Sequence, residues 1–232
     1  MHELPQTYKI LAMLSGLFWT ATYIMIIRRG FKDKSYGMPI AALALNISWE
    51  FIYSFITPAP APQRYINIIW FLFDVAIVYQ VFKYWKEDYG SLFSEKTFYA
   101  FYGLIIATAF FWVLFIQYDA LLVMKPKPYP LGMGRAYSAF GMNLIMSILF
   151  VFFILRRNSV SGQTIYIAMT KWIGTIFADI PFILYPQLPG TPGAGELLFP
   201  YFYVTIFIFD LIYIILVYKK TKEQGENPWK RV

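Results

Sequence analysis

Four carboxyl groups, Glu50, Asp74, Asp179 and Asp210, stand inside stretches of sequence that would otherwise suit the lipid interior. Glu50 poses the problem most sharply: in NISWEFIYSF, residues 46–55, it is the one charged side chain. A carboxylate at bilayer depth costs a few kcal/mol even on lenient insertion scales, so such groups usually face a bundle interior and serve a function. Helical spacing gives each acid aromatic or hydrogen-bonding companions. Asn46, Trp49, Glu50 and Tyr53 fall at i, i+3, i+4 and i+7, one face of a helix. Asn67, Trp70 and Asp74 repeat the idea, Tyr203, Asp210 and Tyr213 do so again, and Lys171, Thr175 and Asp179 line up on another helix. A carboxyl group removed from water favours its neutral form, and aromatic faces attract cations in a dry cavity. The combination suits a chemistry in which an acid donates a proton and a carbocation is then sheltered. The structural alternative is that these polar groups tie helices together by interhelical hydrogen bonds.

The elements that must position these residues follow from composition. Of 232 residues, 59% are hydrophobic and 14% charged, and the mean hydropathy is +0.52; a soluble domain would not expose so little charge. Apolar runs long enough to cross a bilayer, roughly 17 to 25 residues each, recur at Lys9 to Ile27, Met38 to Thr57, Ile66 to Phe82, Phe98 to Ile116, Met133 to Leu155, Thr164 to Tyr185 and Phe199 to Tyr218. The first lacks the basic start and cleavage site of a signal peptide and reads as retained. The expectation is an all-α integral membrane protein, a single seven-helix transmembrane bundle over residues 1–232. Aromatic residues make up 21% of the chain, and many of them belong to interfacial belts.

Basic residues orient the bundle. Arg28, Arg29, Lys32 and Lys34 follow the first run, Lys83, Lys86 and Lys96 the third, Arg156 and Arg157 the fifth, and Lys219, Lys220, Lys222, Lys230 and Arg231 the seventh. The opposite side carries Lys9, Arg64, Lys125, Lys127 and Arg135, and its last loop has no basic residue. The N-terminus is therefore expected outside and the C-terminus inside. On that path Glu50 lies roughly 18 Å from the inner start of its helix and Asp210 roughly 16 Å from the outer start of its own, both near mid-membrane. The net charge of +7 is then the positive-inside signal and not a nucleic-acid footprint. Placing residue 28 over residue 156 matches Arg28-Arg29 with Arg156-Arg157 and Pro58 with Pro186, and brings Glu50 within one position of Asp179. This suggests a 3+1+3 duplication in which helices 1 to 3 and 5 to 7 are repeats joined by helix 4.

Several chemistries are excluded. No cysteine is present, which removes disulfides and thiolate chemistry, and His2 is the single histidine. Asp-rich motifs that bind a diphosphate through Mg²⁺, phosphate-binding glycine loops and nucleophile elbows are absent. Proton-initiated catalysis by carboxylic acids, with neither metal nor cofactor, survives this filter.

The seven-helix plan, the chain length, the N-x-x-W-E pattern of Asn46, Trp49 and Glu50, and Asp210 within FIFDLIY together resemble the transmembrane terpene cyclases of meroterpenoid and indole-diterpene pathways, the pyripyropene and paxilline type. The resemblance runs over nearly the whole chain. It implies that Glu50 and Asp210 are an acid pair that protonates the terminal epoxide of a prenylated aromatic substrate and starts polyene cyclisation. The substrate would then lie among Asn46, Trp49, Tyr53, Trp70, Asp74, Asp179, Tyr203 and Tyr213, with the lipid bilayer as the other partner. A final deprotonation by Asp74, Asp179 or bound water would end the cascade.

Two other classes compete on the residues alone. A proton-coupled carrier of 3+1+3 plan would also use intramembrane acids and Lys171. Its Pro-Gln pairs, Pro62-Gln63 and Pro186-Gln187, stand past helix ends, however, where Pro58, Pro60, Pro62, Pro186, Pro189 and Pro192 terminate helices. A retinal photoreceptor needs a buried lysine in the last helix, where Asp210 stands instead. A purely structural role would bury several acids without basic partners, a costly arrangement.

Overall fold

The computed structural model describes residues 4–118, 132–186 and 197–232. These are helical, with no strand among the described residues. Seven principal helices follow in order: α1 (Gln6–Asp33), α2 (Ile40–Phe51), α3 (Gln63–Tyr84), α4 (Glu95–Tyr118), α5 (Gly132–Arg157), α6 (Ile165–Leu184) and α7 (Leu198–Glu223), with a single turn at Lys86–Tyr89 between α3 and α4. Asp119, Lys125, Lys127, Pro189 and Pro192 lie outside the described residues.

Local chemistry sets the ends. Lys34 closes α1 in the left-handed conformation, its N–H returning to Gly30 and Phe31. Thr164 caps α6 by accepting from the Ile167 N–H. Between α5 and α6 the chain turns at Gly162, φ +75°, where a Cβ would come within 2.9 Å of the Tyr36 carbonyl oxygen, so only glycine fits.

Six of the seven helices are long and apolar enough to cross a membrane. The exception is the second: helix continues from α2 through a π-helical segment, Ile52–Ile56, but Ile40–Ile56 remains the shorter apolar helix. At 1.5 Å per residue it reaches about 25 Å, against a hydrocarbon core of about 30 Å. Packing explains how a short helix is tolerated. Nine of the twelve residues of α2 are buried, Glu50 among them, because α2 packs on α3, α4 and α5 at once. The remaining neighbours close a ring in the order α1, α3, α2, α5, α7, α6 and back to α1, with α4 applied to the outside against α2 and α5. That position leaves α4 with the smallest buried share of the six, and Leu104, Phe111 and Phe115 stand exposed on it.

The basic groups that follow α1, α3, α5 and α7 meet at one end of the bundle. Arg231 of the C-terminal tail pairs with Asp33 at 2.7 Å and donates to the carbonyls of Val160 and Gln163. Arg157 and Tyr36 both donate to Asp88, and Arg156 lies 3.2 Å from it. Burial alone would raise the Asp88 pKa; the hydrogen bonds and charge of Arg157, with help from Tyr36 and Arg156, outweigh it and hold the group below its ordinary 3.8. A depressed carboxyl pKa contributes stability that is present above the unfolded value and lost as pH falls through the folded one. Replacing Asp88 by Asn is therefore expected to cost about 1–3 kcal/mol at neutral pH, and thermal unfolding of the two proteins should converge once the pH drops below the lowered value. A gap that persists at acid pH would mean that the ion pairs are not its source.

Candidate active site

The buried polar side chains collect into two groups, one in each half of the ring. In the first, α2 directs the buried Asn46 toward α1 and α3. Its amide donates to Asp74 Oδ2 at 2.8 Å and to the Tyr23 hydroxyl. Glu50 follows one turn later, 2% exposed, with Oε2 buried and without a hydrogen-bond partner. Asp74, wholly buried, is the neighbouring acid, and Tyr23 lies near both. Asp74 Oδ1 is likewise unpartnered. Among the described residues no cationic side chain pairs with either carboxyl group. Trp70, one turn from Asp74, donates its indole N–H to Thr20 at 3.0 Å and packs on Tyr23 with ring centres 6.0 Å apart.

The face predicted for α2 divides. Asn46 turns to α1 and α3, whereas Trp49 and Tyr53 turn to α5, where both meet the Ser138 hydroxyl, Trp49 donating at 3.1 Å and Tyr53 at hydrogen-bond distance of 3.2 Å. Tyr53 also donates to Gln117 of α4 at 2.8 Å. The two rings lie 4.8 Å apart. The change from α to π geometry after Phe51 alters the rotation per residue, and π segments occur often at functional positions.

The second group lies among α5, α6 and α7. Lys171 and Asp210, both 0% exposed, form an ion pair at 2.6 Å. The ammonium also donates to Ser147 at 2.7 Å and to Asn143 Oδ1 at 3.4 Å, and the Asn143 amide reaches Thr175 at 3.3 Å. This corrects the expectation of buried acids without basic partners: Asp210 has one, from a helix 39 positions earlier in the chain. Asp179, two turns beyond Lys171 on α6, is 6% exposed and keeps Oδ1 buried without a partner. Tyr203 of α7 is a neighbour, and its hydroxyl is also buried and unpartnered. Tyr213 points away from these acids in its hydrogen bonding, donating to Gln163, and packs on Phe150 at 5.0 Å. Glu50 and Asp210 thus belong to different groups, Glu50 with Asp74 and Asp210 with Lys171 and Asp179.

Helix α1 stands between the groups and supplies residues that the spacing of acids did not flag. The Lys171 ammonium lies over the Trp19 ring at 5.6 Å, and Tyr23, one turn on, accepts from Asn46. Close approach of α1 to α6 depends on Gly174, where a Cβ would meet Trp19 Cδ1 at 2.9 Å, and Ser15 donates to the Gly174 carbonyl at 2.8 Å. A polar hollow lined by Asp33, Ser159, Gln224, Glu226 and Arg231 sits at the basic end. It is about 21 Å along α7 from Asp210, and its lining does not suit an apolar chain.

Comparison with known proteins gives this arrangement a context. The model of the Pyr4-like transmembrane terpene cyclases matches residues 1–224. The "Pyr4-family terpene cyclase mfmH" of Annulohypoxylon moriforme is 34% identical, with 86% of this chain and 78% of the relative covered. "Terpene cyclase andB" of Emericella variicolor is 24% identical over 95% of this chain and 94% of its own, and "Terpene cyclase pyr4" of Aspergillus fumigatus is 33% identical over about a third of each. No solved structure matches the chain. A family match over nearly the full length, on a multi-pass helical bundle with carboxyl groups and aromatic rings enclosed at its centre, leads to one conclusion: the chain belongs to the Pyr4-like transmembrane terpene cyclases.

Proposed function

We propose that this cyclase starts its reaction by transferring a proton from Glu50 to the oxygen of a terminal epoxide, or to a terminal alkene, of a prenylated aromatic substrate. One observation carries the reading: Glu50 is buried beside Asp74, with Oε2 unpartnered and no cation beside either acid. Two interacting carboxyl groups in such a setting share protons as a unit, and a neutral member is a general acid. Asp210 takes the complementary part. Held by its ion pair with Lys171, it keeps one oxygen, Oδ2, without a hydrogen-bond partner, and that oxygen is the acceptor turned to the carbocation. The rings of Trp19, Tyr23, Trp49 and Trp70 supply further stabilisation as the charge migrates. The chain folds the polyene so that each ring closure needs only proximity.

The names of the relatives, terpene cyclases among them, support a terpenoid substrate, and they weigh against a carrier. The reaction is read as an isomerisation without metal, since the chain has no diphosphate-binding motif. Washed membranes treated with a strong chelator are expected to convert substrate at the untreated rate. Activity lost to the chelator and restored by Mg²⁺ would contradict this reading.

We also read the single domain as seven crossings with the N-terminus outside. The convergence of basic residues at one end supports the orientation. The ring order supports the duplication: exchanging α1, α2, α3 for α5, α6, α7 maps the ring onto itself and leaves α4 as the outer connector. Each half then carries an acid on its middle helix, Glu50 or Asp179, and another on its last, Asp74 or Asp210.

A further inference from the structure

Every turnover leaves Glu50 a proton short. The charge moves away from the first protonation site as rings close, so the proton lost from the last cation is released at a distance, and Glu50 must be reloaded from water before it acts again. Bulk water does not reach it directly, since Glu50 is 2% exposed and Asp74 is wholly buried. The seam between α2 and α3 supplies a route.

Two hydrogen bonds fix the register of that seam. The Asn46 amide donates to Asp74 at one level, and Arg64 Nε donates to the Ser54 carbonyl at 3.1 Å nearer the end opposite the basic residues. The two helices run antiparallel, so Asn67, which lies between Arg64 and Asp74 in sequence, falls between the levels of Glu50 and Ser54. Asp74 Oδ1, Glu50 Oε2, Asn67 Nδ2, Ser54 Oγ and Thr57 Oγ1 are all buried without a partner in the protein, five of the thirteen such side-chain atoms among the described residues. Buried polar atoms are normally satisfied. A line of them spaced near one helical turn, about 5.4 Å, suits bridging waters, each of which spans two hydrogen bonds of about 2.8 Å. Beyond Asn67, Gln63 donates to its Oδ1 at 2.7 Å, and the exposed Arg64 follows. Phe71 packs on Phe51 and Phe55 at 5.7 and 5.8 Å and closes the seam toward lipid. Toward the basic end Leu43, Ile77 and Val81 are wholly buried, and Gln80 is turned to the Ile27 carbonyl of α1. The polar line therefore continues from Glu50 in one direction, away from the basic residues.

We propose that waters held by Asn67 and Ser54 form the path that returns a proton to Glu50 from the end of the bundle opposite the basic residues. A proton taken up beside Gln63 passes along the line; each O–H bond that breaks is replaced by one formed at the next oxygen, and the last forms on the Glu50 carboxylate, directly or through Asp74, with which Glu50 shares protons. One proton enters for each that product formation releases, so the cycle balances and needs no oxidant or reductant. Asn67 and Ser54 are positioning residues that act through Glu50 and not on the substrate. The inference rests on the reading of Glu50 as the proton donor.

The test uses the full chain in membranes, with a substrate that wild type converts, and compares Asn67→Leu with Glu50→Gln in parallel. With protein in excess over substrate each molecule uses only its stored proton, and Asn67→Leu is expected to complete this single turnover within about threefold of the wild-type rate. With substrate in excess its steady rate should fall about tenfold or more, and heavy water should slow it by a larger factor than it slows wild type. Equal losses in both regimes, wild-type rates in both, or a steady loss with an unchanged heavy-water effect would overturn the proposal. If Asn67→Leu does not accumulate, Ser54→Ala decides: slow steady turnover after a wild-type first turnover supports the path, and any other pattern overturns it. A wild-type first turnover by Glu50→Gln would instead refute the donor assignment, and the split at Asn67 would then still support proton delivery along this seam.

Discussion

Replacing Glu50 by Gln should lower cyclisation by about 10³-fold while the protein remains folded, because the amide keeps the shape of the acid and loses only the proton, and general acid catalysis is typically worth about 10²–10⁴-fold. Stability should hold or rise, since a buried neutral amide beside Asp74 removes the interaction between two acids. The measurement is initial rate in washed membranes together with the melting temperature of the detergent-solubilised protein. A variant that retains more than a tenth of wild-type activity would show that the proton comes from elsewhere, and Asp74 would be the next group to replace.

Replacing Lys171 by Met should be the most destabilising single change in the bundle core. It leaves Asp210 buried at 0% exposure without its cation, a situation that costs about 3–5 kcal/mol. Because the same lysine joins α5 through Ser147 and Asn143 to α7 through Asp210, the loss should appear as poor accumulation in membranes and a much lower melting temperature. Removing both charges is a different matter: exchanging a buried pair for neutral groups of similar volume is often neutral or stabilising. The double variant Lys171→Met, Asp210→Asn should therefore recover most of the stability and yet remain inactive. Recovery of activity with stability would mean that the pair serves the fold alone.

The helices were legible because apolar runs of spanning length announce themselves, and the predicted starts agree with the observed ones to within three residues at Ile165, Leu198 and Gln63. The second run was read as a helix of spanning length, whereas the observed helix, Ile40–Ile56, is shorter and is held by neighbours on three sides, α3, α4 and α5, and tertiary enclosure does not appear in a one-dimensional pattern. The association of Asn46, Glu50 and Asp74 was partly readable, since i and i+4 share a face. The division of that face, with Trp49 and Tyr53 sent to Ser138, was not, because which neighbouring helix each edge of a face meets is set by tertiary packing.

The pairing of Lys171 with Asp210 shows the other limit. The alignment of Lys171, Thr175 and Asp179 on α6 was visible, yet it pointed along α6, and the partner came from α7. Trp19 and Tyr23 were overlooked for a related reason: α1 contains no buried acid to draw attention, and the two side chains matter because α1 packs between the acid groups. Pro181, inside α6 two residues after Asp179, also went unremarked beside the prolines that end helices.

The most direct test of proton-initiated cyclisation is product analysis by mass spectrometry and NMR after wild-type membranes meet epoxidised farnesyl and geranylgeranyl aromatics in oxygen-18-labelled water. The account predicts an isomer of unchanged mass, with fewer alkenes, a hydroxyl group derived from the epoxide and no heavy oxygen. A product carrying oxygen-18 at the former epoxide without ring closure, or a cyclised product that forms equally with Glu50→Gln, would contradict it.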